Sequence, residues 1–141
     1  MENRRAFELL DILIGNAARI LVAGFGCRGA EANLFGVLRV VRETPEAKGW
    51  LIARITRSMA KRDLAHQIDD YVPIELVELL AHEFRWEELK EIAQRRVENL
   101  FDGDWIGARG DIASDIVDAM SEDWSDREFY SHYANVRHIT N

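Results

Sequence analysis

The stretch from Thr44 to Lys61, TPEAKGWLIARITRSMAK, constrains the fold more than any other part of the chain. Ala47, Trp50, Leu51, Ile55 and Met59 recur at helical spacing, and Arg54, Arg57 and Lys61 form the opposite stripe. A strand would alternate apolar and polar residues, and this segment does not. Thr44 suits an N-cap and Pro45 the first helical position. The segment is therefore predicted to be a helix, which removes a strand that a competing reading requires.

That competing reading begins at Gly24-Phe25-Gly26-Cys27-Arg28-Gly29, which fits G-x-G-x-x-G at the end of an apolar run. A dinucleotide-binding unit needs a strand before these glycines and a second strand after the helix that follows. The second strand would have to be Trp50 to Thr56, already read as helix. Upstream, Glu8, Asp11, Gly15 and Arg19 make one narrow polar stripe on an otherwise apolar cylinder, which describes a largely buried helix. Glu43 and Glu46 flank a helix cap rather than a strand end. The glycines are thus expected to join two helices, with Gly24 or Gly26 closing the first in a left-handed conformation.

The remaining chain reads the same way. Asp63 to Asp70 is a short helix or a continuation of the previous one. Pro73 opens a helix through Phe84, with Ile74, Val77, Leu80 and Ala81 inward. RWEELKEIAQRRVENLF carries Trp86, Leu89, Ile92, Ala93, Val97 and Leu100 on one face, with Gly103 near its end. Trp105 to Trp124 repeats the pattern through Ile112, Ile116, Val117 and Met120. Ser125 to Glu128 has the form of a capping box before a last helix with Phe129, Tyr130 and Tyr133. The tail from Val136 is expected to fray. The prediction is a single all-α domain over residues 1–141, a bundle of antiparallel helix pairs.

Sliding the chain by 42 residues lays Leu34 on Leu76, Leu38 on Leu80, Trp50 on Ile92, Arg54 on Arg96 and Ile55 on Val97. A period near 40 is that of two-helix repeats, and residues 30–135 resemble a short stack of HEAT-like helical hairpins. The resemblance rests on hydrophobic spacing alone. It implies a binding surface.

Composition narrows the function classes. The chain has 141 residues and one cysteine, Cys27, so no disulfide forms within it and a reducing, cytoplasmic setting is expected. Glu8, Asp11 and Arg19 interrupt the N-terminal apolar run, so neither a secretion signal nor a membrane span is expected. The net charge of −7 is unevenly spread. Residues 1–62 hold 11 Lys or Arg against 6 Asp or Glu, whereas residues 63–141 hold 7 against 19.

No catalytic constellation is evident. His66, His82, His132 and His138 share no helical spacing with a third ligand, and Cys27 and the serines lie in no nucleophile signature. Asp102, Asp104 and Gly107 match the first, third and sixth positions of an EF-hand loop. Ile106 and Ala113 occupy the fifth and twelfth, so the bidentate carboxylate is missing. No cofactor and no metal is expected.

Two charged surfaces remain. Asp111, Asp115, Asp118 and Glu122 fall on one stripe if Trp105 to Trp124 is one helix. Asp104 and Asp123 extend the stripe, and Trp105 and Trp124 bracket it as anchors. These eight residues are the candidate site for a basic protein partner, such as a nucleic-acid enzyme. An inhibitor, antitoxin, immunity protein or adaptor fits that description. A solvated face that keeps the protein soluble accounts for the stripe equally well. Arg39, Arg42, Arg54, Arg57 and Lys61 form the alternative basic surface. It suits a nucleic-acid-binding regulator, or pairing with the acidic half within the fold or in a homodimer. A small nucleotide-binding enzyme at Gly24–Gly29 is the third reading.

Overall fold

The computed structural model describes residues 2–60 and 71–134. The chain is all-helical. Its elements are α1 (Asn3–Val22), α2 (Gly26–Glu43), α3 (Ala47–Met59), α4 (Ile74–Phe84), α5 (Glu87–Phe101), α6 (Ile112–Ala119) and a 3-10 helix (Ser125–Phe129). A helical turn at 131–134 follows. Lys61, His66, the whole of Asp63 to Asp70, His138 and the tail from Val136 lie outside the described residues.

Each helix turns one apolar face to a shared core. Leu10 and Ile14 of α1, Leu34 and Leu38 of α2, and Leu51 and Ile55 of α3 are fully buried. So are Leu76, Leu79 and Leu80 of α4, Leu89 of α5 and Ile116 of α6. All belong to one cluster. Among the described residues no helix is long and apolar enough to cross a membrane.

The glycine run ends α1 as expected. Gly24 and Gly26 have φ of +89° and +74°, which residues with a side chain rarely adopt. The Gly24 N–H donates to the Leu21 carbonyl at 3.0 Å and the Phe25 N–H to that of Ile20 at 3.2 Å. This pair of bonds is a Schellman motif. Gly29 has a different reason: a Cβ there would stand 3.2 Å from the Ile20 side chain and 2.9 Å from that of Phe25. All three glycines are accounted for by the α1–α2 turn.

Four local expectations change. Thr44 closes α2, donating its N–H to the Val40 carbonyl at 2.9 Å, and α3 begins only after a turn through Pro45. Residues 105–110 are turns, so the helix read from Trp105 to Trp124 shrinks to Ile112–Ala119. Gly107 and Gly110 interrupt the apolar spacing there, and Gly110 takes a φ of +91°. No capping box forms at Ser125; Trp124 precedes a 3-10 helix with no side-chain cap.

The hairpin stack is the fourth. A 42-residue repeat would pair α2 with α3 and α4 with α5. The most extensively packed pair is α1 with α2, α4 and α5 both pack on α6, and α3 lies on α5. The periodic residues align because every helix faces the same core.

Candidate functional site

The candidate surfaces divide according to what the fold uses internally. On the basic side, Arg54 is buried at 5% exposure. It reaches Asp11 of α1 at 2.5 Å with its guanidinium over the Trp50 ring. Arg54 is thus not on an exposed stripe, because its long stem crosses the α1–α3 seam to a carboxylate. Arg42 lies over Phe84 and pairs with Glu83 at 3.2 Å, and Lys48 pairs with Glu88 at 3.0 Å. The basic half is in part paired with the acidic half across the fold. Arg39 and Arg57 are exposed.

On the acidic side, Asp111 is the N-cap of α6 and accepts from the Ala113 N–H at 3.0 Å. It also takes both prongs of Arg96, at 2.8 and 3.1 Å, while Arg96 donates further to the Met59 carbonyl at 3.0 Å. Burial raises the Asp111 pKa. The Arg96 guanidinium and the Ala113 N–H outweigh burial and hold it below the usual carboxylate value. Glu122 lies beyond the end of α6, so the four-carboxylate stripe is not on one helix. Glu122 and Asp123 are exposed, and the Ser121 hydroxyl donates to Asp123. Asp104 folds back to accept the Ile106 N–H at 3.0 Å. Trp105 is 39% exposed, but Trp124 is core, with its ring 5.0 Å from His82.

A different acidic group assembles instead. Glu75 and Glu78 lie on α4, Asp115 and Asp118 on α6, which packs on α4, and Asp126 on the 3-10 helix, near enough for the other four charges to act on Glu78. Glu78 is only 8% exposed. Burial first, then the charges of Asp115, Asp126, Glu75 and Asp118, push its carboxyl from 4.5 up to about 8. Burial, with Asp118, Asp126 and Asp111, also raises Asp115. Among the described residues no Lys or Arg pairs with any of the five. Burial raises the pKa values of Cys27 and Tyr130, and the charges of Glu75 and Glu78 raise both further.

The sequence reading missed Glu75 and Glu78. The available signal was IELVELLAHEF, in which Glu75 and Glu78 are one turn apart on a helix apolar around most of its circumference. Such a helix is buried on most faces, so its carboxylates are drawn in with it.

The other chemical candidates find ordinary places. His82 donates from Nδ1 to the Ala119 carbonyl at 2.8 Å, tying α4 to the end of α6. His132 stacks on Phe35 at 4.5 Å. Among the described residues no group of three or more His, Cys, Asp or Glu is arranged to hold a metal ion. NAD, NADP, ATP and S-adenosylmethionine are each expected to leave the melting temperature unchanged, because the Gly24–Gly29 turn closes on its own helices. A saturable rise of several degrees with any of them would identify a nucleotide site.

Comparison with protein-family models, with curated proteins and with solved structures finds no match.

Proposed function

We propose that this chain is a non-catalytic interaction protein that binds a basic protein partner through the acidic surface of its second half. The observation that supports this is the unpaired group of Glu75, Glu78, Asp115, Asp118 and Asp126. Gathering carboxylates around a nearly buried one lowers the stability of the fold through repulsion and desolvation. A cationic partner relieves the repulsion and offsets the desolvation with a direct attraction, so the arrangement has a use in a complex that it lacks in the free protein. The chain continues from this group into exposed Glu122 and Asp123. Asp104 and Trp105 are also exposed, and they remain on the proposed surface. Asp111 and Trp124 serve the fold and are left out of it. An inhibitor, antitoxin, immunity protein or adaptor of the cytoplasm fits this reading, with a nucleic-acid enzyme as one class of basic target.

The test uses the protein as bait in its native cell extract. Proteins retained by the wild type and released by salt are compared with those retained by an Asp118→Asn, Glu122→Gln, Asp123→Asn variant and by an Arg39→Gln, Arg57→Gln variant. The expected result is a basic protein lost with the first variant and kept with the second. Purified, it should associate more slowly with the acidic-surface variant, and with less dependence on salt. Binding indifferent to all three carboxylates, or nuclease-sensitive recovery abolished by the arginine variant, would overturn the reading.

A further inference from the structure

The acidic group has an apolar neighbour that its charge does not explain. Phe25 and Phe129 are 72% and 59% exposed. Phe25 comes from the α1–α2 turn and Phe129 from the end of the 3-10 helix. With Gly26, Cys27 and Arg28 they line one open cleft of about 430 Å³. Cys27 belongs to both features: it lines the cleft, and it lies in the field of Glu75, Glu78 and Asp126. Asp126 and Phe129 also share the 3-10 helix, so the apolar cleft and the unpaired carboxylates adjoin there.

We infer that cleft and carboxylates form one docking site for an amphipathic basic segment of a partner protein. An apolar side chain seats between Phe25 and Phe129, and a Lys or Arg beside it faces Glu75, Glu78 and Asp126. The inference rests on the acidic-surface reading above and specifies which end of that surface holds the partner. Charge complementarity selects the occupant. An apolar segment would cover the carboxylates without pairing them, and an acidic one would be repelled. A second copy of this chain, docked face to face, would set the same carboxylates against each other. A basic amphipathic segment satisfies both halves of the site.

Glu78 adds a reason why such binding is effective. The largest obstacle to a buried ion pair is removing its charges from water. Folding has already removed the Glu78 carboxyl from water and left it protonated up to about 8, so an arriving cation draws off that proton and gains a partner that water does not compete for. Among the described residues Arg28 is the one cation lining the cleft. It is exposed, and its stem can lie along the apolar wall with its head in solvent.

The test uses synthetic peptides and fluorescence anisotropy. The first is an amphipathic helix of Leu and Lys, the second the same peptide with Glu for Lys, and the third a scrambled Leu/Lys peptide without an apolar face. The first is expected to bind about tenfold more tightly than the third, and the second not at all. Phe129→Ser, at an exposed position that leaves the core untouched, should weaken the first by about tenfold, the scale of one lost aromatic contact. Glu75→Gln with Asp126→Asn should do the same and reduce its salt dependence. Equal binding of the scrambled peptide, or undiminished binding to Phe129→Ser, would overturn the inference. So would a concentration-dependent dimer that Phe129→Ser abolishes. If Phe129→Ser leaves capture of the natural partner intact while the Asp118, Glu122, Asp123 variant loses it, only this inference fails. If neither variant affects capture, the acidic-surface reading fails with it.

Discussion

Glu78→Gln is expected to stabilise the protein by about 2–4 kcal/mol at pH 8 and to change little near pH 4. In the folded chain this carboxyl keeps its proton up to about 8, whereas in the unfolded chain it releases it at its ordinary 4.5. Below 4.5 both states are protonated and no difference arises. Between 4.5 and 8 the folded state holds the extra proton, so stability falls as pH rises, by at most about 1.4 kcal/mol per pH unit. Above 8 the loss is complete, because the folded state then carries a desolvated charge among Glu75, Asp115, Asp118 and Asp126. Gln keeps the shape and cannot ionise, so it removes the loss. Urea melts of both proteins at a series of pH values measure the difference directly. Curves that run parallel from pH 4 to pH 9 would show that Glu78 titrates as a solvated carboxylate, and the acidic group would lose its centre.

Asp111 gives a slope of the opposite sign. Its folded pKa is depressed, so its contribution is present above the ordinary carboxylate range and is lost as pH falls through it. Adjacent parts of the acidic half therefore respond to pH in opposite ways. What separates them is that Arg96 pairs with one, whereas among the described residues no Lys or Arg pairs with the other.

The helices were legible in the sequence because each buries one face, and burial leaves a periodic trace. The stripe of Ala47, Leu51, Ile55 and Met59 became the buried side of α3, and Pro73 marked the start of α4 to the residue. The glycine run was legible for the same reason in reverse: without a second strand it had only a turn to make. Charged residues left no such trace. Arg54 stood in register with exposed Arg57, yet only Arg54 is within reach of Asp11 on α1, a partner 43 residues away. Asp111 and Asp115 are one helical turn apart. One meets Arg96 and the other meets Glu78, and local spacing carries no information about either encounter. Asp111 was the exception with a local signal, since an Asp after Gly110 and before an apolar run is a helix N-cap pattern. The acidic site was missed because it is assembled across α4, α6 and the 3-10 helix, and spacing within one helix describes only one of its walls.

Breaking the Arg96–Asp111 pair is expected to cost about 2–4 kcal/mol, somewhat below the figure for a fully buried pair. The Arg96 and Asp111 side chains are 10% and 15% exposed, and the contact is bidentate. Arg96→Met removes the cation and leaves Asp111 with only the backbone bonds of its cap. Asp111→Ser keeps a capping oxygen, so its loss reports the ion pair rather than the cap, which is worth about 1 kcal/mol by itself. The double variant leaves neither charge uncompensated. It should lose less than the sum of the two single losses, with the shortfall measuring the coupling between the two residues. Single variants that melt with the wild type would show that the pair contributes nothing. The cycle also has a functional consequence. Asp118→Asn removes an exposed charge from the acidic group, so it should slow association with a basic partner and raise the melt slightly by relieving repulsion. Asp111→Ser should lower the melt and, at temperatures where the protein stays folded, leave association unchanged. If Asp111→Ser instead slows association of a fully folded protein, the partner reaches the start of α6, and the binding surface extends over the cap that now defines its edge.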